Sequence, residues 1–311
     1  MSGEDKIAFC FPGQGSLSSG MGREIAEAIP EAMRVYDEAS TASGLDLKRL
    51  CFEADIEDLV ETEVQQPALI TTSLAMLAAL RSIGISPDYV IGHSVGEFSA
   101  LAAAESLTVS DTVALVRERG LATAEAARER PGSMAAILGL DDPVVEEICN
   151  RIEGVWPANY NCPGQIVVSG EHDAVDEACA EARRAGARHT VRLRVTGAFH
   201  SPLVAKAAER LKPAVERLRV HEPASPFMST VSAKIEPAQR VAGLLVEQLT
   251  SPVRFTQAAR ELVRGGARTF VEVGPGNVLS GLLRRIDRGV KTIPVNSLAG
   301  IRRLEQQRSS T

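Results

Sequence analysis

Short, continuous apolar runs recur along the chain, each closed by a turn and separated from the next by helical segments. Ile7-Ala8-Phe9-Cys10-Phe11 is the first. Its unbroken apolarity is that of a strand buried on both faces of a parallel sheet. Tyr89-Val90-Ile91 and residues 227–231, 269–273 and 291–295 read as further strands. Helical patterns span residues 23–42, 47–52, 66–80, 112–128, 203–218, 241–249 and 256–264. In the third of these, Pro67 is expected in the first turn, where its missing N–H costs nothing. Ser110-Asp111 is expected to cap the fourth. Alternating strands and helices predict an α/β fold whose mostly parallel sheet is covered on both faces. The polar stretch from Arg302 onward is expected to fray.

The rhythm changes between Pro131 and Val195. Residues 133–138 read as strand, 143–151 as helix, 155–159 and 165–169 as two strands turned around Pro163-Gly164. Residues 174–185 read as helix ending at Gly186, and 188–195 as strand with Val191, Leu193 and Val195 alternating. The order strand-helix-strand-strand-helix-strand is that of a ferredoxin-like unit. We therefore expect a small inserted subdomain at 130–197, with 1–129 and 198–311 forming one large α/β domain.

Composition narrows the class without naming a function. The chain has 311 residues, 44% hydrophobic and 24% charged, the balance of a globular protein. No run approaches the ~20 apolar residues of a membrane span, and Met1-Ser2-Gly3-Glu4-Asp5-Lys6 lacks the pattern of a signal peptide. A formal net charge of −6, with no compensating basic block, argues against nucleic-acid binding. Cys10, Cys51, Cys149, Cys162 and Cys179 are scattered and include no Cys-x-x-Cys. They read as reduced thiols of a cytoplasmic protein, with neither a zinc site nor a disulfide framework.

The chemistry centres on Gly92-His93-Ser94-Val95-Gly96, a Gly-x-Ser-x-Gly turn between the strand ending at Ile91 and a helix through residues 100–104. A sharp strand-to-helix reversal crowds backbone atoms, and residues without Cβ relieve it. Such a turn projects the Ser94 hydroxyl above a helix N-terminus, as in the nucleophile elbow of α/β hydrolases. A serine nucleophile needs a base. Of the five histidines, His93 would point away across the turn, and His172 and His189 fall in the insert. His221 lies in a polar linker, which leaves His200, between Gly197 and Pro202, as the preferred base. No Asp or Glu between Ser94 and His200 stands out at a strand end, so a carbonyl is left as the group to orient the imidazole. In the helix over 112–128, either Arg117 or Arg119 turned inward would be an anion clamp. Pro12-Gly13-Gln14-Gly15-Ser16 fits neither a Walker nor a dinucleotide pattern, and it reads as a loop lending N–H groups to the site.

These motifs closely resemble the malonyl-CoA:acyl carrier protein transacylases and the related acyltransferase domains of polyketide synthases. The matching stretches are Phe11-Pro12-Gly13-Gln14-Gly15-Ser16, Gln65-Gln66-Pro67-Ala68, Gly92-His93-Ser94-Val95-Gly96-Glu97 and Val116-Arg117-Glu118-Arg119-Gly120. Asn161-Cys162-Pro163-Gly164-Gln165, Gly197-Ala198-Phe199-His200-Ser201, Gln248-Leu249-Thr250-Ser251-Pro252-Val253 and Glu272-Val273-Gly274-Pro275-Gly276 continue the series in family order. Leu17 departs from the usual Gln. The resemblance implies an α/β-hydrolase-like large domain with a ferredoxin-like (βαββαβ) insert.

The resemblance also implies roles. Ser94 would be the nucleophile, His200 its base and Gln248 the residue whose carbonyl orients that base. The N–H groups of Gln14 and Val95 would form the oxyanion hole. Arg119 would bind the malonyl carboxylate, which suits the planar guanidinium. Phe199 would favour malonyl over methylmalonyl, and Asn161 would lie near the cleft. The implied activity is ping-pong malonyl transfer from malonyl-CoA, the substrate, to an acyl carrier protein, with no metal and no cofactor. The chain is expected to act as a monomer, without membrane or nucleic-acid partners. A serine thioesterase or esterase, with water as acceptor, is the rival within enzymes; a catalytically silent carrier-docking protein is the rival outside them. Arg183, Arg184, Arg188, Arg284, Arg285 and Arg288 are candidates for a landing site for an acidic carrier.

Overall fold

The computed structural model describes residues 5–59 and 61–309. The chain runs β1 (Lys6–Phe11), α1 (Arg23–Ala28), α2 (Pro30–Ser43), α3 (Leu47–Phe52), α4 (Thr62–Ser82), β2 (Tyr89–Gly92), α5 (Gly96–Ala103) and α6 (Val109–Glu129). It continues through β3 (Ser133–Leu138), α7 (Asp142–Arg151), β4 (Val155–Cys162), β5 (Gln165–Gly170), α8 (His172–Arg184) and β6 (His189–Arg192). The remainder is α9 (Ala205–Glu216), β7 (Phe227–Ser229), β8 (Lys234–Glu236), α10 (Ala238–Glu247), α11 (Phe255–Arg264), β9 (Ala267–Val273), α12 (Val278–Ile286), β10 (Lys291–Val295) and α13 (Leu298–Ser309).

Two sheets result. The larger has the order β10-β9-β1-β2-β7-β8 and is parallel except for β8 at one edge. Alternation within β1 explains why it sits centrally. Phe9 and Phe11 enter the main core, while Ala8 and Cys10 pack on the other face with Phe255, Leu262 and Leu279. The smaller sheet is antiparallel, in the order β4-β5-β3-β6. On β3, Ala135 and Ile137 pack with residues of α7 and α8, while Met134 and Ala136 join the main core. The period of two therefore buries this sheet on both faces and fixes it against the larger unit. The segment at Val253 docks on β4 through Tyr160 N–H to the Val253 carbonyl and Val253 N–H to the Ala158 carbonyl, both 2.8 Å.

Since β1, β2 and β9 are parallel, their C-terminal loops emerge at one edge. Phe11 pairs with Gly92 there, so the loop after β1 and the turn after β2 start side by side. Crevices beyond the carboxyl ends of parallel strands are where such folds bind ligands.

Several local expectations are corrected. α4 begins at Thr62, so Pro67 stands inside it. Proline cannot donate to the carbonyl four residues back, and Arg117 Nη1 donates to that Glu63 carbonyl at 2.5 Å instead. The α6 cap is Thr108, two residues before Ser110. Its Oγ accepts from Asp111 N–H at 3.0 Å and donates to the Asp111 carboxylate at 2.7 Å. The stretch from Arg302 is helical to Ser309, anchored by buried Ile301 and Leu304 on one face, with Ser310 and Thr311 outside the described residues. β6 stops at Arg192, and Val191 is exposed because β6 is an edge strand. The strand expected over 227–231 ends at Ser229 and turns back as β8. Among the described residues no helix is long and apolar enough to cross a membrane.

Candidate active site

The strand-to-helix turn at Ser94 is as tight as its glycines require. A Cβ on Gly92 would lie 2.1 Å from the Glu97 nitrogen, and one on Gly96 would lie 2.2 Å from the Phe11 carbonyl oxygen. Ser94 itself sits at φ 53°, a left-handed conformation that costs a non-glycine residue of order 1 kcal/mol or more. His200 is likewise at φ 58°. Two strained residues meeting at one point mark a site rather than a scaffold.

Ser94 Oγ and His200 Nε2 are 2.7 Å apart. On the other side of the ring, Nδ1 faces the Gln248 carbonyl at 2.9 Å and the Ser251 carbonyl at 3.1 Å. Carbonyls only accept, so Nδ1 carries the proton and Nε2 holds the lone pair that receives the serine hydroxyl. The docking of Val253 on β4 helps hold the loop that supplies both carbonyls. Burial, reinforced by the positive charge of Arg119, pushes the imidazole down to about 3. It is therefore neutral at pH 7, the state a general base needs.

Arg119, on α6, is 3% exposed. Its Nη1 donates to Gln66 Oε1 at 2.7 Å, and its Nη2 to Gln248 Oε1 at 3.1 Å and to Ser94 Oγ at 3.4 Å. The guanidinium also lies over the Phe98 ring, 5.8 Å from its centroid. Its Nε is buried with no partner, and among the described residues no carboxylate pairs with it directly. Burial pushes it down to about 10, opposed by the Glu97 charge, so it remains a cation at neutral pH. Between the two open arginines, the fold turns Arg119 inward and gives Arg117 the carbonyl that Pro67 leaves free.

The loop after β1 closes the other side. His93 N–H donates to the Phe11 carbonyl at 3.0 Å, and a Cβ on Gly13 would lie 2.6 Å from the His93 carbonyl oxygen. Among the described residues, neither the Gln14 nor the Val95 N–H has a backbone acceptor, which leaves both free for a ligand oxygen. The Gln14 side chain donates to Gln65 Oε1 at 2.6 Å, fixing the loop against α4. His93 points away from Ser94 and meets Asn161 Oδ1 through Nε2 at 2.8 Å. That bond ties the turn to β4 of the smaller sheet.

A cavity of about 270 Å³ opens between the smaller sheet, the loop after β1 and α12, lined by Gln14, His93, Asn159, Asn161, Gln165 and Val278 among others. Asn161 and Gln14 thus line this cavity, while Ser94, His200, Gln248 and Arg119 form the hydrogen-bonded set. Phe199 is buried in the main core and stands outside that set. Three participants received no role from the sequence. Gln66 and Ser251 sit within quoted motifs, but nothing about their types signals their bonds. Glu97, the last residue of the Ser94 motif, is fully buried, and its acid character was the available signal.

The comparisons with known proteins agree on one family. Residues 8–310 match the acyl transferase domain model. The malonyl CoA-acyl carrier protein transacylase of Bacillus subtilis (strain 168) is 45% identical over 296 residues, covering 94% of this chain and 93% of that protein. The chain belongs to the malonyl-CoA:acyl carrier protein transacylase family. The solved transacylase of Xanthomonas oryzae pv. oryzae superposes with a TM-score of 0.94 at 39% identity, covering 98% of each chain. A malonyl-transacylase solved in complex with its type II PKS acyl-carrier protein gives 0.94 at 34% identity, covering 97% of this chain and 100% of that one. The transacylase fold therefore accounts for both sheets.

Proposed function

We propose that this chain moves a malonyl group from malonyl-CoA to the phosphopantetheine thiol of an acyl carrier protein, through an ester on Ser94. Family membership supports the reaction, and one observation carries the assignment of residues. A buried guanidinium that has no direct carboxylate partner among the described residues lies 3.4 Å from the hydroxyl of a serine that is bonded to a neutral imidazole. A neutral-acyl esterase has no use for that charge; an acyl group ending in a carboxylate does.

In the first half-reaction Ser94 Oγ attacks the thioester carbon as its proton passes to His200 Nε2. The N–H groups of Gln14 and Val95 receive the oxyanion. Collapse breaks the C–S bond, and the departing coenzyme A sulfur takes the proton from His200. In the second half-reaction the carrier thiol gives its proton to His200 and attacks the ester carbon. Ser94 leaves and recovers the proton. Gln248 and Ser251 hold the imidazole throughout, and Arg119 binds the free carboxylate in both halves. Side chains and backbone amides supply each step, so the reading needs no cofactor beyond the thioester substrate.

Phe199, next to the base, fits a role in excluding a 2-methyl branch, and Asn161 one in lining the carrier arm's approach. We read 1–129 and 198–311 as the catalytic domain and 130–197 as the inserted subdomain, an assignment supported by the two separate sheets. All five cysteines are buried and free, which supports a cytoplasmic setting. The test is incubation with labelled malonyl-CoA, followed by acid quench and mapping of the label. Label on Ser94, absent in Ser94→Ala and discharged to holo-carrier protein rather than to free malonate, is expected. No ester, or release to water at the same rate with and without carrier, would overturn the proposal.

A further inference from the structure

Glu97 is a wholly buried carboxylate one turn beneath the nucleophile, and the reaction as described leaves it unused. Its Oε1 accepts from the Thr230 N–H at 2.5 Å and from the Thr230 hydroxyl at 3.0 Å. Its Oε2 accepts from Gln248 Nε2 in a short bond. The same Gln248 amide offers its oxygen to Arg119 Nη2 at 3.1 Å, while the Gln248 backbone carbonyl receives the His200 ring. Gln248 is therefore a junction, with the base on its main chain and the carboxylate-binding arginine on its side chain.

An amide has a donor end and an acceptor end, and nothing in Gln248 itself decides which faces Arg119. Building on the functional reading above, we infer that Glu97 is a positioning residue that sets Arg119 for the malonyl carboxylate by fixing the orientation of the Gln248 amide. A carboxylate accepts only, so it draws the NH2 of Gln248 and turns the amide oxygen toward the guanidinium. Arg119 receives a neutral acceptor that aims it, while the negative charge stays one amide away. That distance matters. A carboxylate bonded directly to Arg119 would occupy the donors the substrate needs.

Glu97→Gln tests the inference with almost no change in volume. The two Thr230 donors hold the oxygen of the introduced amide, so its NH2 faces Gln248. Gln248 must then flip, and its own NH2 is driven against Arg119, donor against donor. Selectivity, the ratio of kcat/KM for acylation by malonyl-CoA to that by acetyl-CoA, is expected to fall about 10- to 100-fold, the worth of a hydrogen bond to a charged group. Gln248→Met removes the amide but keeps the backbone carbonyl for His200, so it should lose the same selectivity. The double variant should lose no more than Gln248→Met alone. A purely structural role would lower both substrates by one factor and leave the ratio intact, which would overturn the inference. Should Glu97→Gln not fold, an unchanged ratio in Gln248→Met overturns it equally. Failure of the wild type to form malonyl-Ser94 would instead sink the functional reading itself.

Discussion

The neutrality of His200 makes a sharp prediction about pH. Its ring is held down to about 3 by burial first and by the Arg119 charge second. An ordinary histidine, titrating near 6.5, would be only about 3% neutral at about pH 5, whereas a base at about 3 would be about 99% neutral. The two cases differ about 30-fold in kcat/KM at that pH. Acetyl-CoA is the substrate of choice, because it has no carboxylate to offset Arg119 and so reports the base alone. Rapid-quench acylation of Ser94 from about pH 8 to about pH 4 is expected to stay level down to about pH 5. Arg119→Met removes the charge while keeping most of the volume, and should move the acid limb upward, with burial, the larger cause, still holding it below the ordinary histidine value. A limb near that ordinary value in the wild type would refute the reasoning, as would an unmoved limb in Arg119→Met. Stability follows the same proton. The unfolded ring binds it near 6.5 and the folded ring only near about 3, so the unfolded state holds more protons in between. The contribution of this group is complete above about 6.5 and declines by up to ~1.4 kcal/mol per pH unit as pH falls toward about 3.

Two further outcomes test other parts of the site. Phe199→Ser should raise methylmalonyl-CoA acylation relative to malonyl-CoA by about 10-fold or more, measured by competition between the two thioesters, since one methyl group is worth that much in a closed pocket. An unchanged ratio would return Phe199 to ordinary packing. Gly96→Ala should destabilise the protein by more than about 2 kcal/mol in thermal melts, because the new Cβ meets the Phe11 carbonyl oxygen, a backbone atom held in β1, at 2.2 Å. A loss under about 0.5 kcal/mol would show that the turn gives way more easily than its geometry implies.

The sequence is most legible where one residue type answers a local demand. The β1 run reads as a doubly buried strand because Ile7 through Phe11 are apolar on both faces. The Ser94 turn reads as an elbow because its glycines answer a steric problem that a five-residue pattern states in full. What stays hidden is whatever depends on a partner distant in sequence. Pro67 looks like a helix start until Arg117, 50 residues on (117 − 67), is found bonded to the carbonyl that a proline cannot satisfy. Nothing local separates Arg117 from Arg119; the packing of α6 against α4 does. Ile301 and Leu304 are too sparse to announce a helix in a polar tail, and it is the larger sheet with its helices that gives them a core to enter. The group that orients His200 is reached only through the family resemblance, for another reason. It is a backbone carbonyl, which every residue has.

On the proposed reading, Arg119 reconciles two opposed demands. The substrate carboxylate requires a buried cation beside the nucleophile, yet a cation there disfavours any positive charge on His200, which must accept a proton during each half-reaction. A direct ion pair would neutralise the arginine at rest, but the substrate would then have to displace it. The fold surrounds the guanidinium with neutral acceptors instead, Gln66 and Gln248, and keeps Glu97 behind the amide of Gln248. The charge is thereby oriented but not spent. On that reading a malonyl carboxylate would supply the missing negative charge and relieve the field on His200, so proton uptake by the base would become easier once the right acyl group is in place. The proposed reaction thus couples substrate selection and base strength through one side chain. Malonyl transfer should accordingly show its acid limb at a higher pH in kcat than in kcat/KM, since bound carboxylate raises the affinity of His200 for its proton only within the complex. Coincident limbs for the two parameters would mean that the carboxylate binds too far from Arg119 to offset it.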